Sequence, residues 1–255
     1  VSGLVQASLG GAVATLRLAD AAGRNALTPE LAADFAGALA SAVAEPATRV
    51  VLLAGLPDVF CSGGTTESLL AAQDEHGTLS HDGTIRAPLR CPLPVVAAMR
   101  GHAIGGGLLL GLYADVPVLS ERSVYVANFL GYGFLPCMGA TWVLPNRLGA
   151  VLGTEVLLGA ARYRGSQFQE RGAPVRVVAH ADVEACARRL AGQIAGAPRR
   201  TLEHAKAAIA APWRQASDAA FAREESAHLE TLRQPEVRAA VAAGYGAGAV
   251  ARAVP

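Results

Sequence analysis

Two glycine-rich turns carry the residue types in this chain best suited to chemistry. Gly105, Gly106 and Gly107 lie between an apolar run at residues 94 to 98 and an apolar segment at residues 108 to 113. The β-branched run reads as a buried strand, and the leucines after the turn read as the start of a buried helix. A helix N-terminus has unpaired N–H groups and the positive end of the helix dipole, so a turn without side chains can aim a donor at developing negative charge. Tight strand–helix packing explains the same glycines without any chemistry. Phosphate binding is a third reading, but the turn lacks the lysine and hydroxyl of a P-loop and the spacing of a dinucleotide fingerprint. The second turn is Cys61-Ser62-Gly63-Gly64-Thr65, reached through Phe60 from another apolar run at Val50–Ala54. Two strand ends thus each offer a backbone amide, and two amides facing one oxygen stabilise an oxyanion.

Such turns need strands and helices to hold them. Residues 4 to 8 and 12 to 18 alternate in hydropathy around Gly10-Gly11, which reads as a hairpin. Thr28, Pro29 and Glu30 form a helix start, and apolar spacing continues to residue 43. Residues 67 to 73 read as a short helix. The polar, turn-rich stretch at residues 74 to 83 is expected to form a lid, on which His76 and His81 read as solvated. His102 reads as a packed or backbone-bonded residue that orients the glycine turn. Strands at residues 116 to 119 and 124 to 127 alternate with helices at 139 to 148 and 151 to 158, as in a sheet with crossover helices. Residues 175 to 178 are the last expected strand. Helices follow over residues 182 to 194, 201 to 209, 217 to 232 and 235 to 243, and the tail from residue 244 is low in complexity.

With 255 residues and 52% hydrophobic content, the chain can bury one sizeable core, and one α/β domain is expected. Its 22 Lys+Arg against 21 Asp+Glu leave a net charge of +1. No basic block with interleaved aromatics occurs, which argues against nucleic acid as the main partner. Cys61, Cys91, Cys137 and Cys186 are scattered without CxxC spacing, so neither a metal site nor a disulfide scaffold is expected and a reducing cytoplasm fits. The first residues lack the basic and apolar regions of a signal peptide, and no apolar run reaches the ~18 residues of a membrane span. A soluble cytoplasmic protein is the expectation.

The segments FCSGGT and GHAIGGGLLLGLYADV resemble, in sequence and separation, the two motifs of the crotonase superfamily, the enoyl-CoA hydratase and isomerase family. The resemblance runs from the first hairpin to Val241. It implies an α/β fold: a crotonase-like ββα spiral core over residues 1–190, and a C-terminal helical region of the same domain over residues 191–255. That region is implied to assemble homotrimers, with Phe221, Leu229 and Leu232 as an apolar stripe on a late helix. The amides of Gly64 and Gly106 are implied to form an oxyanion hole for a thioester carbonyl. Substrate contacts are implied at Arg24, Ala26, Ser62, Thr65 and Asn128, with the loop Arg24-Asn25-Ala26-Leu27 lying against the acyl carrier arm. A solvated turn fits that loop equally well. Hydratases of the family place glutamates where this chain has Leu109 and Phe129. Neither can deprotonate water, so hydration is not expected.

The segments SVYVANFLGYGFLPCMGAT, YRGSQFQERGAPV and ESAHLETLRQPE narrow the resemblance to the decarboxylases of polyketide β-branching. That branch implies loss of CO₂ from a 3-methylglutaconyl-type thioester on an acyl carrier protein, giving a 3-methylcrotonyl-type thioester through a dienolate. His228 matches the branch's active-site histidine and is implied to be the proton donor. No cofactor or metal is implied beyond the phosphopantetheine or CoA that carries the small acyl group. Some members carry a tyrosine and a lysine four apart after the first motif, where this chain has Ser68 and Ala72. A dry pocket could favour CO₂ loss without that cation. Two other readings are an enoyl thioester isomerase and a catalytically silent, carrier-binding scaffold.

Overall fold

The computed structural model describes residues 3–73 and 82–244. Strands β1 (Val5–Ser8) and β2 (Val13–Leu18) pair antiparallel, Val5 opposite Leu18, as the expected hairpin. Helix α1 (Pro29–Ala44) begins at Thr28, whose side chain accepts from the Leu31 amide. Strands β3 (Val50–Ala54) and β4 (Val59–Cys61) then lead into α2 (Thr66–Ala72). The short helices α3 (Asp82–Ile85) and α4 (Ala87–Arg90) precede β5 (Val95–Met99), β6 (His102–Ile104) and α5 (Gly106–Leu112). Strands β7 (Val116–Ser120) and β8 (Val124–Val126) are followed by α6 (Ala140–Leu148) and α7 (Ala150–Gly159). The chain closes with β9 (Tyr163–Arg164), α8 (Gly165–Glu170), β10 (Arg176–Val178), α9 (Val183–Ile194), α10 (Arg199–Leu232) and α11 (Pro235–Ala242).

Each β–β corner sends one strand to a large sheet and the next to a small one. The large sheet has the order β1-β2-β3-β5-β7-β10 and the small sheet β4-β6-β8-β9. This is the expected spiral. The central strands read as unbroken apolar runs because both faces of the large sheet are covered. On β3, Val51 and Leu53 join the main core, while Val50, Leu52 and Ala54 face a second cluster built on Val183, Cys186, Ala187 and Ala191 of α9.

Several expectations need correction. Strands β6 and β9 are too short, at three and two residues, to show a period in sequence. The helices expected at 201 to 209 and 217 to 232 are one helix, α10, which runs through Pro212. Proline removes one N–H and disturbs the turn before it. The packing on either side keeps the helix going: Trp213 stacks edge-on to Trp142 at 4.5 Å, and Arg147 lies 4.1 Å over the Trp213 ring. Polar contacts also pin α10 to the core. Lys206 Nζ bonds Asp115 at 2.7 Å and the Pro88 carbonyl at 3.0 Å, and the Ser217 hydroxyl lies 2.9 Å from that of Tyr113.

The expected trimer stripe is largely spent inside the protomer. Leu232 is fully buried in the main core, and the Phe221 ring lies under the Arg86 guanidinium at 4.7 Å. Of the expected lid, residues 74–81, with His76 and His81, lie outside the described residues, whereas Asp82 and Gly83 open helix α3. The tail from residue 245 also lies outside them. Among the described residues, no helix is long and apolar enough to cross a membrane.

Candidate active site

The two glycine turns are neighbours because the strands before them pair. Strand β4 runs parallel to β6, with Val59 opposite His102 and Cys61 opposite Ala103. Two residues on, a Cβ at Gly63 would lie 2.5 Å from the Ile104 carbonyl oxygen and 3.3 Å from the Gly106 nitrogen, and Gly63 has φ +83°. A Cβ at Gly107 would lie 2.2 Å from the Cys61 carbonyl oxygen. Backbone cannot yield to such contacts, so Gly63 and Gly107 are glycines for close approach. Gly106 differs. Its added Cβ would meet only the side-chain ends of Ile85, at 2.9 Å, and Leu27, at 3.0 Å.

The Gly106 N–H is the first of α5 and so has no partner within the helix. Among the described residues, neither it nor the Gly64 N–H donates to a main-chain acceptor. The packing and donor readings are therefore divided among the glycines: Gly63 and Gly107 bring the turns together, and Gly64 and Gly106 keep donors free. Burial pushes the neighbouring Cys61 thiol up to about 12, which leaves it unsuited to act as a nucleophile.

The loop before α1 is tied to the first turn by a Leu27 N–H donating to the Gly63 carbonyl at 2.8 Å, and Ala26 bridges Gly63 in parallel fashion. Arg24 and Asn25 both take left-handed backbone, with φ 55° and 53°. Asn25 accounts for this geometry. Its fully buried amide donates to the carbonyls of Leu18 and Phe60 at 3.1 and 3.0 Å, and it accepts from the Asp20 N–H. The buried Asn25 side chain thus serves the main chain of its own loop and of β4.

Arg24 is exposed and lines a groove of about 190 Å³ together with Ser62, His102, Ile104, Val126, Asn128 and Arg162. The structure so gathers Arg24, Ser62 and Asn128 in one place. The Asn128 Oδ1 is buried there without a partner among the described residues. Thr65 is used differently: it caps α2, exchanging hydrogen bonds with Ser68 at 3.0 Å in each direction. Ala26 is buried and offers main chain only, and Ala72 lies in the core. His102 Nδ1 accepts from the Val124 amide at 2.9 Å, which places its proton on Nε2. Burial, reinforced by Arg24, lowers its pKa.

His228 lies on α10 and is 3% exposed. Its Nδ1 is 2.5 Å from the Leu135 carbonyl oxygen, and its Nε2 is buried with no hydrogen-bond partner among the described residues. A carbonyl only accepts, so Nδ1 carries the proton and the neutral ring presents a bare lone pair at Nε2. Burial holds its pKa below the usual histidine value, with the Leu135 bond opposing that shift. His228 must therefore take up a proton before it can give one. The ring stands perpendicular to Phe134 at 5.6 Å, and Phe134 is edge-on to Phe129 at 6.0 Å. Leu109 and Phe129 are both buried, so the positions that could have activated water are apolar.

Glu224, one turn before His228, was not singled out from the sequence. Its buried carboxylate accepts from the Gly139 N–H at 2.7 Å, the Thr141 N–H at 2.8 Å and the Thr141 hydroxyl at 2.5 Å. It thereby caps the start of α6, where Gly139 takes a left-handed φ of 75°. Burial raises its pKa against those donors. The one available signal was its spacing of four from His228, which means little until the buried face of α10 is known.

Comparison with known proteins agrees with this geometry. The sequence profile of the Enoyl-CoA hydratase/isomerase family matches residues 9–245. The bacillaene synthase decarboxylase PksI of Bacillus subtilis (strain 168) is 38% identical over 235 residues, covering 92% of this chain and 94% of its own. Among solved structures, a chain from a dehydratase/decarboxylase couple of polyketide β-branching superposes with a TM-score of 0.91 at 37% identity, over 96% of this chain and all of its own. The ECH2 decarboxylase domain of CurF from Lyngbya majuscula gives 0.88 at 34% identity, over 95% and 99% of the two chains.

Proposed function

This chain belongs to the enoyl-CoA hydratase/isomerase family, and we propose that within it the protein is a decarboxylase of polyketide β-branching, converting a 3-methylglutaconyl-type thioester on an acyl carrier protein to a 3-methylcrotonyl-type thioester. The thioester oxygen accepts from the Gly64 and Gly106 amides. The bond to the carboxylate breaks, CO₂ departs, and the electron pair delocalises through the double bond onto that oxygen. Protonated His228 then gives its Nε2 proton to carbon, which regenerates the neutral ring. The reading needs no metal or cofactor beyond the phosphopantetheine or CoA that carries the acyl group.

The observation that carries this reading is that, among the described residues, the Gly64 and Gly106 amides have no main-chain acceptor while Leu109 and Phe129, buried and apolar, stand where hydratases have glutamates. Amides stabilise a thioenolate, and apolar residues in place of carboxylates leave water without a base. A carboxylate held in an apolar pocket is also unstable relative to neutral CO₂. Mass spectrometry of carrier-bound 3-methylglutaconyl substrate tests the reading directly. Loss of the mass of CO₂ only when the protein is present supports it, and an unchanged mass refutes it.

We further propose a homotrimer in the cytoplasm. The support for the trimer is the family resemblance of the C-terminal helical region. A monomer in light scattering at micromolar concentration would exclude the trimer.

A further inference from the structure

The small sheet has one face in the core and one face outward. On β8 and β9, Tyr125 is opposite Tyr163 and Val124 opposite Arg164. Paired residues share a face and neighbours along a strand alternate, so Arg162 and Arg164 project on the side of Val124 and Val126. The other side carries Tyr125 and Tyr163, whose rings stack on Phe168 at 5.9 and 5.5 Å. The outward side is the floor of the groove that holds Arg24, Ser62 and Asn128.

This face is basic. Arg24, Arg122, Arg162 and Arg164 are exposed, and Arg100 at the β5–β6 corner donates to His180 Nε2 at 3.4 Å. Burial is the main cause that lowers the pKa of both histidines; Arg24, His180 and Arg162 add to it at His102 against Asp58, and Arg122 and Arg100 add to it at His180 against Asp58 and Glu121. Arg24 and Arg162 line the groove itself, and Arg164 shares the strand face of Val124 beside it. The groove includes Ser62, beside the Gly63-Gly64 turn, and holds the Asn128 Oδ1, which has no partner among the described residues and can accept from an N–H or O–H donor.

We propose that this face is the docking surface for an acidic carrier protein, with its amide-bearing phosphopantetheine arm lying in the groove past Asn128 and its acidic surface resting on Arg122 and Arg164. The proposal rests on the decarboxylase reading, which supplies a carrier-borne substrate. Charges at the rim of an interface act mainly on encounter and on salt dependence.

The test compares the wild type with the double variant Arg122→Glu, Arg164→Glu on two substrates. One is the 3-methylglutaconyl thioester of a phosphopantetheinylated acyl carrier protein, and the other is the same acyl group on free pantetheine. The expected result is a KM for the carrier-borne substrate raised on the order of tenfold and less sensitive to salt, with turnover of the pantetheine thioester within about twofold of wild type. Equal losses on both substrates, or an unchanged KM for the carrier-borne one, would overturn the proposal. Should the wild type turn over neither substrate, the decarboxylase reading falls. Docking is then judged by fluorescence anisotropy of the labelled carrier protein, where weaker binding to the variant supports it and equal binding refutes it.

Discussion

His228 and Leu135, 93 residues apart, meet through a 2.5 Å contact between the ring Nδ1 and the carbonyl oxygen. One turn further along α10, the Thr231 hydroxyl accepts from the Leu135 amide at 2.9 Å. Helix α10 therefore grips both polar groups of one residue, and with it the adjacent Phe134 ring. The imidazole is fixed in one tautomer by this arrangement, not merely buried.

Removing the imidazole tests its role as acid. His228→Ala is expected to slow product formation by about 10²–10⁴, the range for a positioned acid. It also leaves the Leu135 carbonyl without its partner, at about 1–3 kcal/mol of stability. Thermal unfolding separates the two effects, because a folded variant with near-normal turnover would move the acid role elsewhere.

The depressed pKa of His228 predicts opposite pH trends for stability and rate. Its folded pKa lies below the unfolded 6.5, so the unfolded chain binds the proton first. Stability from this group is full above 6.5 and is lost as pH falls through the folded value. Catalysis needs the charged ring, so kcat/KM should rise over the same descent. Urea titrations and rate profiles from pH 7.5 to 5, in wild type and His228→Gln, check both signs; parallel trends in the wild type would rule this out.

Gly106 and Gly107 should respond differently to substitution. Gly106→Pro removes a donor at the first helical position, where proline suits a helix, and is expected to cut kcat by about 10²–10³. Gly107→Ala places a methyl group against the Cys61 carbonyl and is expected to unfold or rearrange the turn. Circular dichroism and turnover on the pair distinguish a lost donor from a lost fold.

Lys206→Met tests what pins α10. The ammonium is 1% exposed and pairs with Asp115, so its removal strands a partly buried carboxylate and is expected to cost about 3 kcal/mol. The midpoint of chemical denaturation reads this directly, and a change below about 1 kcal/mol would show that Asp115 rehydrates freely.

Much of this architecture is legible in the sequence where a pattern is long or local. The strand at Val50–Ala54 and the cap at Thr28 are complete within a few residues. The two glycine turns are legible as motifs, but dividing their roles takes the β4–β6 register, which only the fold supplies. Asn25 reads as a candidate contact because one of its partners, Phe60, lies 35 residues away in sequence. Glu224 is illegible for the same reason, as its donors lie more than eighty residues earlier. The expected gap between residues 209 and 217 is absent because local propensity cannot anticipate the Trp142–Trp213 contact.

The continuity of α10 through Pro212 turns it into a ruler. Lys206, Ser217, Glu224 and His228 are all buried, at intervals of 11, 7 and 4 residues that each approximate whole turns of a helix. Each reaches a different element, so the distances among Asp115, Tyr113, the start of α6 and Leu135 are measured against one rigid rod. Adding or deleting one residue between 206 and 228 would rotate everything beyond it by roughly 100° and carry the imidazole off Leu135. The exposed side of α10 is free to drift in composition, but its length between these four positions is not.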